Sequence, residues 1–112
     1  MLVARAYDRV MRIADLELDP DWHAVSRGGR QITLTRIQFQ LLALLAKHVN
    51  QVVGYDELVA EAWGHADEQS PSSLVKSHIS RLRRKLGLAR LGPLVIKASP
   101  GQGYMLRLRA TS

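Results

Sequence analysis

Six nitrogen bases fall within the ten residues from Lys76 to Lys85: Lys76, His78, Arg81, Arg83, Arg84 and Lys85, with Ser77 and Ser80 between them. Arginine presents a rigid fork of donors that fits guanine O6 and N7, or a phosphate. Serine is short enough to permit close approach while bonding either. The same stretch places Val75, Ile79, Leu82 and Leu86 at the spacing of one helical stripe. With that stripe turned inward, Lys76, Ser77, Ser80, Arg81 and Arg84 occupy the opposite side, and His78, Arg83 and Lys85 lie on the flanks. A solvated helix face ordinarily mixes charge signs, whereas this one contains no acid.

Other chemistries find little to work with. The chain has no cysteine, which removes disulfides, thiolate nucleophiles and cysteine-based zinc sites. Its four histidines, His23, His48, His65 and His78, fall in four different elements without metal-ligand spacing. Gly101-Gln102-Gly103 lies between two strand-like runs and does not open a helix, so it is no phosphate-cradling loop. Asp56 and Glu57 suit the first turn of a helix better than a catalytic pair. No catalysis, metal or cofactor is expected.

Charge is partitioned along the chain. Residues 1–68 carry seven Lys and Arg against ten Asp and Glu, whereas residues 69–112 carry nine against none. Charge needed only for solubility would be spread evenly. Forty-four residues without an acid are the electrostatic footprint expected for a polyanion partner. The 112 residues amount to one domain. No apolar run reaches the roughly 18 residues that span a bilayer, and residues 1–12 lack the apolar core of a signal peptide. The expectation is a cytoplasmic protein with no membrane contact.

The elements that must position the basic helix are legible from pattern. Ile13, Leu16 and Leu18 among acids suggest a first strand, Trp22 to Ser26 a second that runs back after Asp19-Pro20-Asp21, and Gln31 to Leu34 a third after Gly28-Gly29. Thr35 with Gln38 forms a capping box ahead of a helix bearing Phe39, Leu42, Leu45 and Ala46, and Asn50 suits the left-handed residue that ends it. Gln51 to Val53 suggests a short extended piece. A second helix is expected over Tyr55 to Trp63, stopped by Gly64. His65 to Ser73 reads as a loop, with Ser70 capping and Pro71 opening a third helix that runs to about Leu86, stopped by Gly87. Leu94 to Ala98 and Tyr104 to Arg109 close the chain as a hairpin, the second strand alternating Tyr104, Leu106 and Leu108 against Met105, Arg107 and Arg109. A terminal hairpin after a basic helix is the layout of a wing beside a recognition helix. Trp63 and Tyr104 are expected in the core, and Trp22 is expected to be partly buried.

These elements carry a resemblance. Leu34-Thr35, Gln38-Phe39, Leu41-Leu42, Leu45 and His48 resemble the first-helix motif of the OmpR/PhoB family of response-regulator output domains. Val53, Glu57-Leu58 and Trp63-Gly64 are similar to its second helix. His78 through Leu86 resembles the recognition-helix core, and Gly101-Gln102-Gly103-Tyr104 the turn at the wing. The resemblance implies an α+β winged helix-turn-helix with a four-stranded N-terminal antiparallel sheet, a three-helix core and a C-terminal β-hairpin wing that pairs with a short strand after the first helix. It implies binding to double-stranded DNA at direct-repeat half-sites, by a monomer in solution that pairs in tandem on DNA. RNA polymerase contact through loop 65–73 is also implied. The chain departs from the family at three positions: Ser73 stands where relatives often carry Arg, Lys76 where they carry Asp, and Pro100 where they carry Arg before the wing turn.

Residues and resemblance together make Lys76, Ser77, Ser80 and Arg81 the expected base contacts, and Ser73, His78, Arg83, Arg84, Lys85 and Lys97 the expected backbone contacts. Arg107 and Arg109 are further cations on the hairpin. Residues 1–11 read as a linker remnant and 12–112 as the DNA-binding domain of a bacterial two-component-type transcriptional regulator. Two other settings suit the same motifs: a winged helix used for protein interaction, and the DNA-binding module of a receiver-less or antibiotic-regulator (SARP) protein.

Overall fold

The computed structural model describes residues 10–64, 71–88 and 92–109. Its first unit is an antiparallel sheet of four strands in sequence order: β1 (Met11–Ile13), β2 (Leu16–Asp19), β3 (Ala24–Arg27) and β4 (Arg30–Ile32). The sequence suggested one strand where β1 and β2 lie. Ile13 and Leu16 are three residues apart, out of phase for one strand face, and the chain folds back between them at Ala14, whose φ is +56°. Ile13, Leu16, Leu18 and Val25 thereby share the buried face. Gly28 and Gly29, at φ +58° and +82°, make the two-residue turn joining Arg27 to Arg30, a backbone path that side chains rarely follow. β1 begins at Met11, one residue inside the stretch expected to be linker.

Trp22 is not partly buried as expected but 77% exposed. The turn after β2 is held by Asp19, whose Oδ1 accepts from the amides of Asp21 (3.0 Å) and Trp22 (3.4 Å), so β3 starts only at Ala24 and Trp22 stands on the turn. His23 beside it stacks on Phe39, with ring centroids 4.7 Å apart.

Three helices form the centre: α1 (Arg36–Lys47), α2 (Tyr55–Trp63) and α3 (Pro71–Leu86). The capping box is complete, since Thr35 Oγ1 accepts from the Gln38 amide (3.2 Å) and Gln38 Oε1 from the Thr35 amide (3.0 Å). α1 stops earlier than expected, at Lys47 with His48 as its cap, and Asn50 takes the left-handed conformation, φ +65°, in the turn beyond. It then donates its amide to Leu106 O and accepts from Leu108 N, both at 2.8 Å, so its side chain serves the hairpin as well. Leu41, Leu42 and Leu45 of α1, Leu58 and Val59 of α2, and Val75, Ile79, Leu82 and Leu86 of α3 meet in one core. Among the described residues no helix is long and apolar enough to cross a membrane.

A second antiparallel sheet closes the fold, with β7 (Gly103–Leu108) between β5 (Val53–Gly54) and β6 (Leu94–Ser99). Val53 pairs with Tyr104 and Gly54 with Gly103. At Gly103 an added Cβ would sit 1.9 Å from Val53 O, so the glycine is what lets β5 lie against the hairpin. Tyr104 is buried, as expected of a wing anchor. The expected loop over 65–73 divides: residues 65–70, including the Ser70 cap, lie outside the described residues, and 71–73 form the first turn of α3.

Candidate nucleic-acid interface

α3 is sixteen residues long, about 24 Å at the usual rise, enough to lie along a groove and project from both ends of it. Val75, Ile79, Leu82 and Leu86 are all at 2% exposure or less, which fixes the rotation of the helix. Ser73, Lys76, Ser77, Ser80, Arg81 and Arg84 are therefore exposed on one continuous outer stripe. Ser77 Oγ donates to Leu74 O at 3.3 Å, a bond along the helix that leaves the hydroxyl oxygen able to accept.

The flanking bases are placed differently. Arg83 is half-buried and reaches across to the hairpin, with Nε and Nη2 donating to Ile96 O at 3.0 and 2.6 Å and the guanidinium 5.8 Å from the Tyr104 ring centroid. Lys85 is exposed, but its Nζ donates to Gln38 Oε1 at 2.9 Å at the start of α1. His78 is half-buried with its ring edge-on to Trp63, centroids 5.2 Å apart, and Nδ1 is buried without a hydrogen-bond partner among the described residues. Burial holds its pKa below the usual histidine value, and the Arg81 guanidinium pushes the same way. Trp63 is half-buried and acts as the wall against which His78 packs.

Lys97 is exposed on β6, and Arg107 and Arg109 are exposed at the far strand. With Arg83 they line a cavity of about 540 Å³ at the side of the hairpin, walled by Leu88, Pro93 and Val95. Basic side chains thus extend from the outer face of α3 to the side of the wing, while Asp56 and Glu57 lie by the other end, lining a pocket with Ser72 and the wing turn at Gly101 and Gln102.

Arg27 was not legible as part of this site. From β3, 59 residues away in sequence, its Nη1 donates to Leu86 O at 2.7 Å and to Gly87 O at 2.8 Å, at the C-terminal end of α3. Its Nε faces Asp15 at 3.3 and 3.4 Å. Nothing in the local pattern of a strand arginine next to two glycines signals so distant a partner. Among the described residues no group of three or more His, Cys, Asp or Glu is arranged to hold a metal.

A three-helix core whose third helix turns a basic face outward beside a hairpin is a winged helix-turn-helix domain. The family described as transcriptional regulatory protein, C terminal, matches residues 29–106, and the chain belongs to that family, the OmpR/PhoB-type DNA-binding domains. The DNA-binding response regulator MtrA of Mycolicibacterium paratuberculosis is 37% identical over 113 residues, covering 92% of this chain and 50% of MtrA. The DNA-binding domain of CpxR from Escherichia coli superposes with a TM-score of 0.80 at 33% identity, covering 90% of this chain and 98% of that one. The RstA DNA-binding domain of Klebsiella pneumoniae, solved in complex with the RstA box, gives 0.77 at 30% identity, covering 88% and 97%. The chain spans about half the length of the curated relatives it matches.

Proposed function

We propose that this domain binds double-stranded DNA in a sequence-specific manner, as the output part of a two-component-type transcriptional regulator acting in the cytoplasm. The observation that carries the reading is the outer stripe of α3, where Lys76, Ser77, Ser80, Arg81 and Arg84 are exposed opposite a fully buried apolar stripe. In this reading α3 enters the major groove. Arg81, Lys76, Ser77 and Ser80 meet base edges, and Ser73, His78, Arg84 and Lys97 meet phosphates. His78 is neutral near pH 7 because its pKa is lowered. Burial of a bare Nδ1 is less costly than burial of an N–H, so the ring proton belongs on Nε2, free to donate to a phosphate.

Arg83 and Lys85 enter the reading differently from the rest. Each already spends donors inside the protein, so their part is chiefly to hold α3 against the wing and α1, with Arg83 Nη1 and the remaining ammonium protons of Lys85 left for DNA. Tandem pairing on direct repeats, polymerase contact through residues 65–73 and control by a receiver unit are part of the same proposal, carried over from the family's pattern.

Selection from a random duplex library with the 112-residue chain tests it, followed by titration of the winner and a scrambled duplex across a salt series. The expected winner contains two direct repeats about one helical turn apart, bound roughly a thousandfold more tightly than the scramble. Purely salt-driven binding with no enriched sequence would reduce the site to a basic surface. No duplex binding at low salt would leave the protein-interaction reading in its place.

A further inference from the structure

We propose that Arg27 is a positioning residue for the DNA-reading helix, tying the last turn of α3 to the N-terminal sheet so that events at the sheet change sequence discrimination. The inference rests on the DNA-binding reading above. The last carbonyls of a helix have no partner within it and form the negative end of its dipole. Here a single guanidinium nitrogen, Arg27 Nη1, takes both Leu86 O and Gly87 O. The other side of that guanidinium is held by Asp15, which lies in the β1–β2 turn, and the backbone oxygen of Asp15 accepts from the Gly28 amide at 2.8 Å. The two turns at this end of the sheet are thus stitched together, and Arg27 connects them to α3.

The same end of α3 is gripped from two other directions, by Lys85 on Gln38 of α1 and by Arg83 on Ile96 of the wing. Of these three ties, the Arg27 one runs to the N-terminal sheet. Arg84 and Arg81 lie two and five residues before Leu86, so the setting of this turn bears on how far their side chains project. A domain or second copy that presses on the β1–β2 turn would act on α3 through Asp15 and Arg27 without touching DNA.

Two arms test this on the 112-residue chain. In the first, without DNA, amide exchange is followed at Gly87 and Leu88, which donate to Arg84 O and Arg83 O. Arg27→Gln should speed exchange there by about tenfold, with the α1 amides unchanged. Unchanged exchange at Gly87 and Leu88 overturns the tie. In the second arm, the ratio of affinities for selected and scrambled duplexes is measured against salt. Arg27→Gln should lower the ratio by on the order of fivefold with the salt slope unaltered. A slope shallower by about one with the ratio held would make Arg27 a phosphate ligand instead, and overturn the proposal. Asp15→Asn gives a prediction of opposite sign to simple electrostatics. Loss of an acid should tighten both duplexes alike, whereas loss of the tie lowers the ratio, and a ratio unchanged in both variants overturns the coupling. If the parent chain binds no duplex, the DNA reading fails while the exchange arm still decides whether Arg27 holds the helix.

Discussion

Each base on α3 is committed by what else its side chain touches. Arg81 and Arg84 are exposed on the outer stripe in the C-terminal half of α3, with Arg84 the nearer to its end. Arg81→Ala should cost about 1–3 kcal/mol on the preferred duplex and relax preference at one base position. Arg84→Ala should weaken selected and scrambled duplexes alike and reduce the salt slope by about one. Equal losses on both duplexes for the two variants, in anisotropy titrations, would remove Arg81 from base reading. The stripe itself was legible because helical spacing decides it from sequence alone. The internal ties of Arg83, Lys85 and His78 were not, because each partner, Ile96, Gln38 or Trp63, is more than a helical turn away in sequence and is brought near only by packing.

At the scale of elements, the second and third helices fell where periodicity and punctuation put them, while the first stops at Lys47, ahead of the Asn50 expected to end it. Tyr55–Trp63 and Pro71–Leu86 match their expected bounds, and the capping box at Thr35 and Gln38 is formed at both bonds. The N-terminal strands were harder to read, because strands of three and four residues leave too few positions for a period of two to declare itself. Trp22 shows the same limit: its expected place at the start of a strand argued for partial burial, and the Asp19 turn, with β3 starting only at Ala24, overruled it. The junction of β5 with the wing carries a sharper demand. Gly103→Ala would drive a methyl into the Val53 carbonyl, and neither backbone can yield without breaking the β5–β7 pairing. Such a substitution should cost about 3 kcal/mol in urea unfolding. Gly101→Ala, where the added Cβ meets nothing within 4 Å, should cost less despite its φ of +75°. Equal costs would mean that the close approach is not what matters.

At the scale of the whole molecule, the titration of His78 bears on stability. The lowered pKa of His78 means that the unfolded chain binds a proton more readily than the folded one. Its contribution to stability is therefore complete above the ordinary histidine value near 6.5 and is lost as pH falls through the interval below it. The midpoint of thermal unfolding should fall more steeply from pH 7 to pH 5 in the parent chain than in His78→Gln. Parallel profiles would show that burial against Trp63 does not govern the imidazole. The contact between Arg83 and Ile96 has a consequence of another kind. β6 is an edge strand of its sheet, and a bare edge strand is a template on which a foreign chain can lay itself. Arg83 occupies one of its carbonyls and sets a charge beside it, so the side chain that steadies the wing also guards the molecule against aggregation with its own kind.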